Sequence, residues 1–189
     1  MLQTAGIPAS PAEDRCFAQL LNPQGLDVDY FVSHFWGHPF SRTVQALTKF
    51  AEEVYEGIGK SSPDDVVFWI CLFALNQHKA AEEVGTTPEE GPFNAALAKA
   101  RHGALMVLDG RAEPMWRIWC LYELVCAMRS EETELRIVLS EHQRQSLRAS
   151  LIKDFHVVTK MLVRIRVEEA KAEQESDHRQ LSVRFTSAS

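Results

Sequence analysis

In "WRIWCLYELVCAM", Trp116 to Met128, one carboxylate stands among apolar residues. On a helix turning about 100° per residue, Glu123 falls between Trp119 and Cys126 on one side and Trp116, Cys120 and Ala127 on the other. A carboxylate removed from water without a partner is costly. Such a group is either held structurally, here by Arg117 or by a lysine from another element, or it is kept for chemistry.

A carboxylate acts only where strands and helices bring substrate groups to it, so the elements come next. "VDYFVSHFWG" predicts a buried strand over Asp29 to Ser33 that runs into the Gly/Pro loop "WGHPF". Val44, Leu47, Phe50, Ala51, Val54 and Ile58 recur at helical spacing and predict a helix stopped by Gly57 or Gly59. "DDVVFWICLFAL" is continuously apolar after its acidic start, as expected of a strand covered on both faces. The segment from Lys79 to Pro92 predicts a short helix and a loop, and "FNAALAKARHG" a helix stopped by Gly103. "ALMVLDG" is the third strand, the Trp116 helix follows, and "ELRIVLS" is the fourth. Residues 141 to 160 predict an amphipathic helix, and "MLVRIRV" a fifth strand.

Strands alternating with helices imply right-handed crossovers and an α/β fold, a flavodoxin-like doubly wound parallel sheet of about five strands with helices on both faces. In such sheets ligands bind beyond the carboxyl ends of the strands. Those ends carry Ser33, His34, Phe35 and Trp36, then Asn76 with Gln77 and His78, then Asp109 with Gly110. With Trp119, Cys120 and Glu123 from the following helix they compose one expected crevice, aromatic walls with a few polar groups, as small-molecule sites have. Structural roles compete at each position: core packing for Trp116, Trp119, Cys120 and Cys126, a turn cap for Asp109, a hydrogen-bonded strand end for Ser33. His34 and His38 are spaced like a helical metal pair, but Gly37 and Pro39 break a helix there, so no metal is expected.

Residues 1–27 read as a lead-in, 28–167 as the domain and 168–189 as a charged tail. The net charge of −6 disfavours a general nucleic-acid binder. Four cysteines without a close CxxC pairing suggest reduced thiols and a cytoplasmic setting. The N-terminus lacks the pattern of a secretory signal, and the longest apolar run, Val66 to Leu75, is too short to span a bilayer, so no membrane anchor is expected. No GxGxxG or GxxxxGK[ST] follows a predicted strand, which disfavours Rossmann dehydrogenases and nucleoside triphosphatases.

"YFVSHFWG" on a first strand, an amphipathic helix after it, and "WCLYEL" on a later helix resemble the Toll/interleukin-1 receptor (TIR) domain family, in particular its plant members with a WCL-x-EL sequence. The resemblance spans roughly residues 28 to 167 and places Glu123 at the family's catalytic glutamate. "SHFWG" and "FWICLFALNQH" depart from ordinary TIR sequences and mark a divergent branch. The resemblance implies cleavage of the nicotinamide–ribose bond of NAD in signalling or defence, with NAD as substrate, no further cofactor, and self-assembly into homo-oligomers. Trp36 or Trp119 would stack on the substrate's rings. The family also contains catalytically silent modules that act by homotypic interaction. A nucleoside deoxyribosyltransferase, with the glutamate as nucleophile, is a further alternative.

Overall fold

The structure, a computed structural model, describes residues 15–37, 39–83, 91–109, 112–130 and 132–153. Among them the elements run α1 (Phe17–Leu21), β1 (Tyr30–His34), α2 (Phe40–Val54), β2 (Phe68–Ile70), α3 (Cys71–Ala74), α4 (Ala80–Glu83), α5 (Pro92–Lys99), β3 (Ala104–Val107), α6 (Ile118–Arg129), β4 (Leu135–Val138) and α7 (Glu141–Lys153). The strands form one four-stranded sheet in the order β2-β1-β3-β4, with β1 parallel to both neighbours and β3 parallel to β4. The fold is therefore α/β with the flavodoxin-like strand order. Four strands are described where about five were expected; the fifth, over 161–167, lies outside the described residues, as do the tail and the end of the 141–160 helix.

Period-two alternation sorts the side chains between the two layers. Tyr30 and Val32 of β1, Leu105 and Val107 of β3 and Val138 of β4 meet Ala46, Leu47, Phe50 and Ala51 of α2. The buried positions of α2, Thr43, Ala46, Leu47, Phe50 and Ala51, follow the 3.6-residue period, so this helix presents one stripe to the sheet. Its burial drives the packing, at about 1.5–3 kcal/mol for each large apolar side chain. On the other face Phe31 and Ala104 meet Ala96 and Leu97 of α5 and Ala127 of α6, while Met106 meets Ile118, Cys120, Leu121 and Tyr122 of α6. Helix α7 is tied to α2 by a Lys49–Glu141 ion pair of 2.6 Å.

Two expected boundaries move. The second strand does not run on to Leu75. Ser62 and Asp65 cap a single 3₁₀ turn, Pro63–Asp65, and the chain leaves the sheet after Ile70 to form α3. The Gln77 amide holds that turn closed by donating to the carbonyls of Cys71, Leu72 and Leu75. A continuous apolar run does not by itself distinguish strand from buried helix. Trp116 likewise lies outside its expected helix: a 3₁₀ turn, Glu113–Trp116, precedes Arg117, the N-cap of α6. The lead-in contributes α1, whose Phe17 packs on Phe73 with ring centroids 5.5 Å apart.

Candidate functional site

Helix α6 starts at the carboxyl ends of the strands, and its first turn is fastened there. Cys120 Sγ donates to the backbone carbonyl of His34 at 3.6 Å, joining α6 to the last residue of β1. One turn further along, Glu123 faces the sheet and is only 8% exposed. Among the described residues it forms no ion pair, so the expected alternative of a partner in Arg117 or a lysine is absent there. Burial pushes its carboxyl up to about 8; the neighbouring Ser33 hydroxyl works against this by favouring the charged form. Ser33 Oγ is itself buried and meets no partner at full hydrogen-bond geometry.

Two thiols complete the surroundings. Burial, with a smaller contribution from the Glu123 carboxylate, pushes the Cys71 thiol up to about 12. Cys120 is raised by burial and then by Glu123, with Cys71 adding to the effect. Neither thiol is a nucleophile in this state, since the thiolate is the reactive form. Trp36, half-exposed on the loop after β1, donates its indole N–H to Cys71 Sγ at 3.3 Å. The site is a buried hydroxyl, carboxylate and thiol pair, with an aromatic ring at its edge.

The structure thus brings together Ser33, Trp36, Cys120 and Glu123 of the expected residues, and places the others elsewhere. The His34 ring sits on the opposite face of the sheet, edge-on to Phe40 at 6.0 Å, because strand alternation turns it away from Ser33. Desolvation lowers its pKa to about 4, so it is neutral at physiological pH. Phe35 and Asp109 line a second, shallow depression with Arg42, Thr43, Val107, Leu108 and Gln143. Asp109 Oδ1 also accepts from the Glu113 backbone N–H at 2.8 Å, the turn-capping alternative. Asn76 is not at a strand end: β2 stops at Ile70, and Asn76 Oδ1 accepts from the His78 backbone N–H at 3.0 Å within the turn that follows α3. Trp119 stacks on Phe93 at 5.4 Å and meets Tyr122 edge-on, so at least one ring face serves packing between α5 and α6. His38 and Gly110 lie outside the described residues.

Cys71 is the residue that sequence reasoning missed. It occupies the carboxyl end of β2, the place expected for Asn76, and nothing in "FWICLFAL" marks Ile70 as the last strand residue. The only signal was the composition itself, a small polarisable side chain inside an otherwise bulky run.

Among the described residues no group of three or more His, Cys, Asp or Glu is placed to hold a metal ion. No helix among them is long and apolar enough to cross a membrane. The chain matches no protein-family model, no curated protein and no solved structure.

Proposed function

We propose that the protein is a TIR-like NAD nucleosidase that cleaves the nicotinamide–ribose bond, with Glu123 as the catalytic carboxylate, acting in cytoplasmic signalling or defence as a homo-oligomer. The observation that carries this reading is the placement of Glu123: buried at the carboxyl side of a parallel sheet, without an ion pair among the described residues, beside the Ser33 hydroxyl. The sequence resemblance in "WCLYEL" supplies the substrate.

The chemistry follows from the environment. In the unliganded site the raised pKa keeps Glu123 largely protonated at neutral pH. Nicotinamide joined to ribose is a cationic pyridinium, and its arrival offsets the desolvation that disfavours the carboxylate. The proton then leaves, and the anion faces the ribose carbon as the C–N bond breaks. The bonding pair departs with nicotinamide, which becomes neutral, while positive charge develops on the ribose and is stabilised by Glu123. Nicotinamide needs no acid to leave. Water attacks the ribose cation and releases a proton, giving ADP-ribose; capture by a group within the same nucleotide gives a cyclic product instead. Ser33 orients a ribose hydroxyl, and the exposed part of the Trp36 ring is available to stack on the base.

A second reading, a catalytically silent interaction module, draws on the near-complete burial of Glu123. The test is to incubate concentrated protein with NAD, with and without a crowding agent, measuring nicotinamide release and sedimentation together. Release that rises with assembly supports the enzyme. Assembly with no release at any concentration contradicts it and favours the module.

A further inference from the structure

Trp36 and Cys71 come from different strand ends, yet their side chains close over the same spot. Trp36 follows β1 on the loop toward α2, with 47% of its surface exposed. Cys71 is the first residue of α3, directly after β2, and is buried. The two are 35 residues apart and meet through a single hydrogen bond, indole N–H to sulfur, at 3.3 Å. Cys71 follows Ile70 as Ser33 follows Val32, its partner in the parallel register, so the thiol stands beside the strand end that carries Ser33, where Cys120 of the Glu123 helix is also fastened through the His34 carbonyl. Inside that cluster the buried Ser33 hydroxyl lies next to Glu123 and Cys120, with no partner at full hydrogen-bond geometry.

We propose that the Trp36 indole is a latch at the edge of the buried Glu123 cluster, held by its bond to Cys71 and opened by rotation of the Trp36 side chain when a ligand is admitted. Thiol sulfur is a weak acceptor, and 47% of the Trp36 surface is already exposed, so turning outward uncovers only the remainder. Opening is therefore cheap compared with moving the fully buried side chains of β1 and β3. In the shut state two polar groups, Ser33 and Glu123, are withheld from water. In the open state both are presented beside an aromatic ring. The latch deepens the reading of the site given above and rests on it for the identity of the ligand, a pyridinium nucleotide, while the opening itself is a property of the chain alone.

Thiol labelling tests the opening without any substrate. The full chain and its Trp36→Phe and Trp36→Ala variants are exposed to N-ethylmaleimide, and labelling at each of the four cysteines is followed over time by peptide mass spectrometry. Trp36→Phe keeps a ring but loses the N–H donor. It is expected to speed labelling of Cys71 by roughly fivefold to tenfold, the factor that loss of one modest hydrogen bond gives when reaction proceeds through a rare open state. Trp36→Ala is expected to speed it further, with Cys16, which is also buried, unchanged in both. Equal rates at Cys71 in all three proteins overturn the latch, whether or not the protein cleaves NAD. Acceleration shared equally by Cys16 also overturns it, since that is general loosening. Selective acceleration at Cys71 supports the latch even if no variant releases nicotinamide, in which case the substrate reading alone falls.

Discussion

Cys120 Sγ and the backbone carbonyl of His34 meet at 3.6 Å across 86 residues of sequence, so the first turn of the helix that carries Glu123 is fixed to the end of the strand that carries Ser33. This contact sets where the carboxylate stands relative to the sheet. Cys120 is buried in the cluster of Met106, Met115, Ile118, Leu121 and Tyr122, so its sulfur also fills space there. Cys120→Ala is expected to lower stability by about 1–2 kcal/mol, the usual cost of a small buried truncation, read as a shift in the urea midpoint. Cys120→Ser, which keeps a donor, is expected to recover part of the lost stability but not all of the packing.

The buried Glu123 and His34 impose opposite pH dependences, and their windows separate them. Glu123 has a folded pKa of about 8 against 4.5 in the unfolded chain, so between these values the folded state holds a proton that the unfolded state has lost. Stability therefore falls as pH rises through that window, by as much as roughly 5 kcal/mol. His34 has a folded pKa of about 4 against 6.5 unfolded, so below 6.5 the unfolded state binds the extra proton. Its contribution is full above pH 6.5 and is lost as pH falls through 4, by roughly 3 kcal/mol. Between pH 6.5 and 8 only Glu123 of the two acts. Urea titrations across this range should show Glu123→Gln flatter than the parent chain, and His34→Gln should change the slope only below 6.5. A parent chain with constant midpoint from pH 6.5 to 8 would contradict a buried carboxylate with a raised pKa.

At the opposite pole of the sheet Asp29 is almost wholly buried and does structural service. Its Oδ2 accepts from the Val67 backbone N–H at 2.8 Å and pairs with Lys60 Nζ at 2.7 Å, joining β1 to the start of β2. Lys60→Met would leave the carboxylate with its backbone donor and with His102, whose Nε2 is 4.0 Å from Oδ1. Removing one partner of a buried pair costs about 3–5 kcal/mol, and the partial exposure of Lys60 places the expected loss at the lower end. Thermal denaturation checks it, and an unchanged midpoint would show that the pair contributes nothing.

Gly103 enters β3 at φ +104°, and a Cβ there would come within 2.2 Å of the Glu134 carbonyl oxygen. That oxygen accepts the Ala104 N–H at 2.8 Å, the bond that starts the β3–β4 pairing. Gly103→Ala is therefore expected to cost more than the ~1 kcal/mol of an ordinary glycine replacement, on the order of 2–3 kcal/mol. Faster amide exchange in β4 than in β2 would locate the damage.

The fold was legible where period and composition agreed. Leu47, Phe50 and Ala51 announced α2 because one stripe of a helix must face the sheet, although Val44, read with them, is exposed, and β1, β3 and β4 stood between clear turns. The second strand was not legible beyond its start, because "FWICLFAL" is apolar throughout and the decisive bonds come from Gln77, whose amide reaches back to three carbonyls. That error carried into the site. Asn76 was expected at a strand end where Cys71 stands, and the thiol that meets Trp36 went unassigned. Ser33 and Glu123 were legible as one place because the end of β1 and the helix that leaves its neighbour β3 lie at the same edge of the sheet. His34 was misplaced, since adjacent strand residues point to opposite faces. Helix α5 was expected to run to Gly103, but it ends at Lys99: the Arg101 and His102 backbone N–H groups are drawn to the carbonyls of Val28 and Asp29, contacts no local pattern encodes.

Nicotinamide release from NAD by the parent chain and by Glu123→Gln, with matched circular dichroism and over a range of protein concentrations, tests the proposed catalytic carboxylate most directly. Glutamine keeps the shape and removes the charge. The folded variant is expected to release nicotinamide more slowly by roughly 10² or more, the loss that follows removal of a principal electrostatic stabiliser. A folded Glu123→Gln chain that releases nicotinamide at the parent rate would contradict the proposed role.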